Sequence, residues 1–261
     1  MQNDIKKTKI LHLYHDLMNL YGDWANAAIL ERELTDRARA SEVERVGFGS
    51  EIDFSLYDFI YIGSGTERSL YACLREILKY KDSLIKQIEA GKFVLATGNA
   101  HEIFGRSVTD TKGTIHEALG LLDFETVHLE TRITGDCVYK ADFLSDKLVG
   151  FINRAGGSQE GDIKRPFTAE LCPGTAGVNK TEGIRYKNLT GTYMTGPVLV
   201  RNPPLLHYYA DLLENNSDKL LCTMGNKTEP VLCTRCTPDP LFNYQSSAYE
   251  TAVKELTARI K

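Results

Sequence analysis

Short apolar runs of strand length, each followed by a helical stretch, constrain this chain more than any other feature. Lys9-Ile10-Leu11-His12-Leu13-Tyr14 is the first, a polar loop with Asn19 and Gly22 follows, and a helix is predicted to begin near Trp24. Glu42 to Val46 alternates like a strand, and Asp58-Phe59-Ile60-Tyr61-Ile62 is nearly continuous and ends in Gly63-Ser64-Gly65. A helical segment from Glu67 to Ala90 precedes the next run, Lys92 to Thr97, which stops at Gly98. Strands apolar on both faces must be covered on both. Alternating with helices, they predict a three-layer, doubly wound α/β fold on a mostly parallel sheet.

After about Gly120 the pattern changes. Phe124 to Glu130, Arg132 to Tyr139 and Ile184 to Leu189 read as short strands between Gly-rich or polar turns, so the second half is expected to be strand-rich. Helices resume over Pro203 to Leu213 and Ser247 to Ile260, and Asn215 to Gln245, with its prolines and Gly225, reads as an irregular tail. The expected domains are 1–214, and 215–261 as tail and C-terminal helix. Asn153, Arg154, Gly156 and Gly157 read as a hairpin turn or interaction loop.

Charge excludes some partners. Thirty-one basic against 35 acidic residues give −4, so nothing draws the chain toward nucleic acid. No run approaches the ~20 apolar residues of a membrane span, and the N-terminus lacks the apolar core of a signal peptide, which predicts a cytoplasmic protein. Six cysteines are too few for a disulfide framework. Cys233 and Cys236 form a Cys-x-x-Cys pair, but a zinc knuckle would need two more ligands, and Cys222 and His207 fit no usual spacing; no metal or cofactor is expected.

In an open parallel sheet ligands bind beyond the carboxyl ends of the strands. Three loops qualify: Asn19 to Asn26, Gly63 to Glu67, and Gly98 to His101. The third has the strand-turn-helix form of a nucleophile elbow, with glycine where the nucleophile would stand.

Several ordered blocks make the resemblance specific. They are Asn19-Leu20-Tyr21-Gly22-Asp23 with Asn26, Tyr61 to Arg68, Gly120-Leu121-Leu122-Asp123-Phe124, Thr131 to Asp136, Gly150 to Asn153, Glu182 to Leu189 with Gly191-Thr192-Tyr193, and Gly196-Pro197-Val198-Leu199 with Arg201-Asn202. Over Ile10 to Leu213 the chain resembles the glutaminase subunits of bacterial lipid II isoglutaminyl synthases. Those are class I glutamine amidotransferases of the cobyric-acid-synthase-like branch, which work with a Mur-ligase-like partner in amidating the peptidoglycan stem peptide. The resemblance implies that fold, that partner and a small carboxylate or amide ligand.

The departures bear on chemistry. The family motif Cys-Gly-Gly-Tyr/Phe-Gln aligns with Gly98-Asn99-Ala100-His101-Glu102, and the family histidine before Gly-Pro aligns with Thr195. Without thiolate and imidazole the chain is expected to be a pseudoenzyme with vestigial positions Gly98 and Thr195. The resemblance further implies that Arg132 handles the ligand and that Gly63-Ser64-Gly65 supplies oxyanion-hole amides; the same residues would also serve turn geometry or salt bridges. His101 and Glu102 are candidate polar contacts at the same mouth, the alternative for His101 being a solvated or capping histidine. Thr97, as last strand residue, is expected to point into sheet packing, and Cys73, Cys137 and Cys172 lie outside the three loops. Two alternatives remain: an amidohydrolase with a relocated nucleophile, and a stand-alone small-ligand binding protein.

Overall fold

The computed structural model describes residues 7–156, 159–173, 180–222 and 240–260. The chain opens with β1 (Thr8–Leu13), α1 (Trp24–Asp36), β2 (Ser41–Val46) and β3 (Phe59–Ile62), then α2 (Glu67–Ile77), α3 (Lys81–Glu89) and β4 (Phe93–Thr97). The second half supplies β5 (Ser107–Thr109), β6 (Ile115–Glu117), β7 (Phe124–Val127), β8 (Leu129–Ala141), β9 (Lys147–Gly156), β10 (Gln159–Gly161), β11 (Phe167–Leu171), β12 (Thr181–Glu182), β13 (Ile184–Tyr186), β14 (Leu189–Thr192) and β15 (Met194–Thr195). Helices α4 (Val198–Arg201), α5 (Pro203–Cys222) and α6 (Pro240–Thr257) follow.

The central sheet runs β13-β14-β4-β3-β1-β2, parallel throughout except for β13. Its order reverses at β1, which has β2 on one side and β3 on the other, and this makes the crevice at the carboxyl ends of β1 and β3 the natural ligand position. Side chains alternate between two covered faces. Ile10, Phe59, Tyr61 and Leu95 pack with Leu30, Leu34, Leu206 and Tyr209 of α1 and α5. Leu11, Leu13, Ile60, Ile62 and Val94 pack with Leu70, Leu74, Ile77, Leu84 and Ile88 of α2 and α3. Each such burial contributes about 1.5–3 kcal/mol, which is why strands apolar on both faces demand three layers. The doubly wound expectation holds, and the strand-rich second half forms two further sheets, β10-β7-β5-β6 and β12-β11-β8-β9-β15.

Details differ from the sequence expectation. The helix expected over Glu67 to Ala90 breaks at a 3-10 turn, Leu78–Tyr80. The break sets Tyr80 edge-on to Phe54 at 6.1 Å, with its hydroxyl donating to Ser50 O at 3.1 Å. Ile184 to Leu189 is not one strand but a hairpin, turned by Lys187 at φ +49°. Asn153 and Arg154 lie inside β9, paired with Thr134 and Ile133, rather than in a turn. Helix α5 runs past the boundary expected at 214, and α6 begins at Pro240 instead of Ser247. Cys233 and Cys236 lie outside the described residues, while His207 of α5 stands 3.8 Å from the Glu33 carboxylate.

Buried amides join the layers. Asn202, fully buried, accepts from Val149 N–H at 2.8 Å and donates to Val149 O and Val198 O at 2.9 and 2.8 Å, tying β9 to α4. Helix α6 lies on the same region, with Gln245 donating to Leu199 O and Val200 O and Tyr249 to Lys147 O. Replacing Asn202 by alanine orphans both backbone groups of Val149. We expect Asn202→Ala to lower the urea-unfolding free energy by about 2–4 kcal/mol, whereas Lys254→Ala on the exposed side of α6 stays within about 0.5 kcal/mol.

Candidate functional site

The loops at the carboxyl ends of β1, β3 and β4 meet where the sequence places a ligand mouth. Gly98 takes φ +60°, a left-handed conformation that glycine adopts freely. A Cβ on Gly98 would fall 2.2 Å from Ser64 Oγ and 2.7 Å from Ser64 Cβ, so the Ser64 hydroxymethyl fills the space a side chain at 98 would need. Gly63 is equally confined: a Cβ there would meet Met18 O at 2.5 Å.

The amides of the Gly63 to Gly65 loop are engaged within the protein. Ser64 N–H donates to the Asp23 carboxylate, and Gly65 N–H donates to Asn99 Oδ1 at 3.0 Å. Asn99 Nδ2 returns a bond to Gly65 O at 3.0 Å, and Leu20 N–H donates to Ser64 O at 2.9 Å. An oxyanion hole needs donors aimed at a position where charge will develop. Here the two amides already have acceptors.

Beneath the turn lies a buried polar line. Thr97 Oγ1 bonds Tyr61 OH at 2.8 Å, and Asn26 Nδ2 donates to the same phenol at 2.8 Å. Thr97 therefore points into the packing, as expected. Asn26 also donates to Gly196 O at 3.3 Å and accepts Leu199 N–H at 2.8 Å, which fastens α1 to the Gly196-Pro197 corner. Thr195 is buried and donates its hydroxyl to Phe151 O at 3.1 Å.

His101 and Glu102 do not face the mouth. Gly98–Phe104 is a 3-10 turn whose seven residues are all buried, not the helix start expected, and its tighter winding turns both side chains inward. His101 is fully buried, bonded through Nδ1 to Gly98 O at 2.8 Å and through Nε2 to Gln159 Nε2 at 3.2 Å, with its ring edge-on to Tyr193 at 4.2 Å. Burial pushes its pKa down to about 4, so the ring is neutral, donating from Nδ1 and accepting at Nε2. It is neither a ligand contact nor a solvated cap.

Glu102 meets a partner the sequence did not reveal. Its carboxylate pairs with His128 Nε2 at 2.8 Å and accepts from Tyr193 OH at 3.0 Å, and His128 Nδ1 bonds Tyr71 OH at 2.8 Å. Burial pulls the imidazole down, but the hydrogen bond and charge of Glu102 outweigh it and leave His128 raised. The pair is thus a buried, hydrogen-bonded imidazole and carboxyl group. Twenty-six residues separate the partners, so no local spacing could have signalled it.

Arg132 does stand at the rim. Its Nη1 donates to Glu67 Oε1 at 2.7 Å, Nε to Asn153 Oδ1 at 2.8 Å and Nη2 to Asn153 O at 3.2 Å, while Asn153 Nδ2 donates to Tyr21 OH at 2.9 Å. Burial disfavours the Glu67 charge, but Arg132 more than offsets it and holds the carboxyl below its ordinary range. A ligand carboxylate here would have to compete with Glu67. Among the described residues no group of three His, Cys, Asp or Glu is placed to hold a metal ion.

Asp23 carries the sharpest electrostatic consequence. It is fully buried and burial raises its pKa to about 7, against the hydrogen bonds from Ser64 and the Gly196 backbone that pull it down. Folded chains hold a proton on Asp23 that unfolded chains release above about 4, so its contribution to stability falls as pH climbs toward 7. Asparagine keeps an acceptor for Ser64 N–H without that titration. The stability of Asp23→Asn relative to the unaltered chain should therefore grow between about pH 4 and pH 7, by up to roughly 1.4 kcal/mol per unit, and flatten outside that window in urea titrations.

Comparison with known proteins agrees with this architecture. Residues 9–203 match the family model of the CobB/CobQ-like glutamine amidotransferase domain. The chain is 33% identical over 199 residues to the GatD subunit of the glutamine-hydrolysing lipid II isoglutaminyl synthase of Staphylococcus aureus (strain N315), covering 76% of this chain and 81% of that one. It is 27% identical over 200 residues to the GatD subunit of Streptococcus pneumoniae (strain ATCC BAA-255 / R6), covering 76% and 77%. A crystal structure of a glutamine amidotransferase superposes with a TM-score of 0.53 at 14% identity, over 78% of this chain and 98% of that one, a likeness of fold alone. With the family model spanning residues 9–203 and a relative 33% identical over most of both chains, the chain belongs to the CobB/CobQ-like glutamine amidotransferase family.

Proposed function

We propose that this chain is a non-hydrolysing glutamine amidotransferase-like subunit, serving a Mur-ligase-like synthase that amidates lipid II-type peptidoglycan precursors. One observation carries the reading: Asn99 and Asp23 occupy the amides of Gly65 and Ser64, while Ser64 itself fills the space beside Gly98. A tetrahedral intermediate would find neither a thiolate nor free donors, and losing such a unit elsewhere costs on the order of 10⁶-fold in rate. Thr195, with its hydroxyl given to Phe151 O, supplies no base.

The described cysteines do not replace the missing nucleophile. Burial pushes Cys73 up to about 12 and raises Cys137 and Cys172, so none of the three is held as a thiolate. Partner binding does not depend on the elbow, because an interface spreads its energy over many residues. The chain would then hold a synthase that takes free ammonia, and a small carboxylate or amide reaching Arg132 would displace Glu67 from it.

Purified protein, alone or with its synthase, should release no ammonia from glutamine and should not be labelled at the elbow by a thiol-directed glutamine analogue. Steady release abolished by a substitution near Gly98 overturns the reading in favour of a relocated nucleophile. Gly98→Cys with Thr195→His should remain silent, because the new Cβ collides with Ser64. Adding Ser64→Gly and Asn99→Gly frees both the space and the Gly65 amide, and should bring measurable turnover, still at least ~100-fold below an intact site because small positioning errors persist. Co-expression with a Mur-ligase-like synthase should give co-elution on size exclusion; separate elution of the two proteins favours a stand-alone binding protein.

A further inference from the structure

A second concavity lies beside the switch point, on the α1 face of the sheet. It encloses about 360 Å³ and is lined by His12, His15, Asn19, Trp24 and Arg45. The volume lies within the range of small-ligand pockets, and the position is the carboxyl end of β1 and β2, where doubly wound sheets take their ligands. His12 and Arg45 are register partners on adjacent strands, so their side chains leave the same face.

His12 has no ordinary structural explanation. It is 1% exposed, and neither ring nitrogen meets a side-chain partner or a hydrogen bond of ordinary geometry, the Met18 backbone touching the ring only weakly. Its ring lies 5.2 Å from Tyr61 and 6.2 Å from His15, contacts that satisfy neither nitrogen. Buried polar groups in native proteins are paired, and one left unpaired while lining a pocket is a group kept for a ligand. Burial drives the ring toward its neutral form, and the charged neighbours adding to that push, His15 and Arg45, are both basic, with only the Met18 backbone opposing. Nearby Asp16 turns away, accepting Phe48 N–H at 3.0 and 3.2 Å. Arg45 makes no ion pair among the described residues.

The Arg45 guanidinium repels a metal ion and attracts an anion. Trp24 stands at the rim half exposed, with its backbone N–H held by Asn19 Oδ1 at 2.8 Å and its indole uncovered. A flat ring can lie on that face. We propose that this pocket binds a small organic oxyanion, a carboxylate or a phosphate, gripped by Arg45 and His12 with its planar portion against Trp24. No residue of Gly98 to His101 lines this pocket, and the proposal holds whether or not that turn hydrolyses glutamine.

Trp24 is the single tryptophan of the chain, so its fluorescence reports this pocket and no other. Four probes divide the chemistry: inorganic phosphate and phenyl phosphate, acetate and benzoate, each titrated into the full-length protein to about 10 mM, where even weak sites saturate. A saturable change with phenyl phosphate or benzoate, tighter than with its ring-free counterpart, is the expected result, and the better anion of the two assigns phosphate or carboxylate. Arg45→Gln and His12→Phe should each weaken it about tenfold or more, and Arg45→Lys should keep most of it. His12→Phe should melt no lower than the unaltered chain, since it removes unpaired polar atoms from the interior. No saturable response from any probe overturns the proposal. So does equal affinity for ringed and ring-free anions, or a response unchanged in Arg45→Gln.

Discussion

Where parallel strands end, their loops expose backbone N–H and C=O groups that must find partners, and the way this chain meets that demand shapes everything around the Gly98 turn. An amidotransferase leaves some of these donors free for its ligand. Here Asp23 takes Ser64 N–H, Asn99 takes Gly65 N–H and returns a bond to Gly65 O, and Asn26 takes Leu199 N–H. Each of these acceptors is buried at 9% exposure or less, so each bond works in a medium where an unmade one is expensive. The same bonds hold β3, β4, α1 and α4 together.

The charges inside the fold follow the same economy of partners. His128 and Glu102 share a proton-rich contact at 2.8 Å, each about 2% exposed, with Tyr193 and Tyr71 completing the line. Removing one member of such a pair strands the other, whereas exchanging both for neutral groups can be tolerated. The resemblance places glutamine where Glu102 stands, and its carboxyl is met by His128 and Tyr193, both from the strand-rich half. His101 is the contrasting case: with only neutral partners, Gly98 O and Gln159, it stays uncharged.

How much of this was legible in the sequence depended on range. Strands β1 to β4 could be read because two-sided burial writes a continuous apolar run, and Thr97 because the last residue of such a run must pack. The Gly63 loop and Arg132 were found through the ordered motifs, and both do lie at one mouth. What escaped was set by contacts across long separations: the pairing of Glu102 with His128, the capture of Gly65 by Asn99, and the break before Tyr80. His101 was misplaced because a 3-10 turn and an α-helix begin with the same residues but aim the fourth side chain differently. His12 looked like any strand residue, since a ring nitrogen without a partner leaves no trace in composition or spacing.

Gly98 itself shows why chemistry and fold can separate at an elbow. A residue at φ +60° is strained unless it is glycine, so a nucleophile in that position is carried against a local preference. Glycine carries no such strain and no side chain that could react. Beside it, Ser64 occupies the volume that a side chain at 98 would need, with its own N–H on Asp23. Once Asn99 has joined Gly65, reopening the mouth would require breaking several buried hydrogen bonds at once, each contributing about 0.5–1.5 kcal/mol. The turn is therefore held by this packing, and the His12 pocket lies close by, lined by Asn19 and Trp24 of the loop whose Asp23 accepts Ser64 N–H.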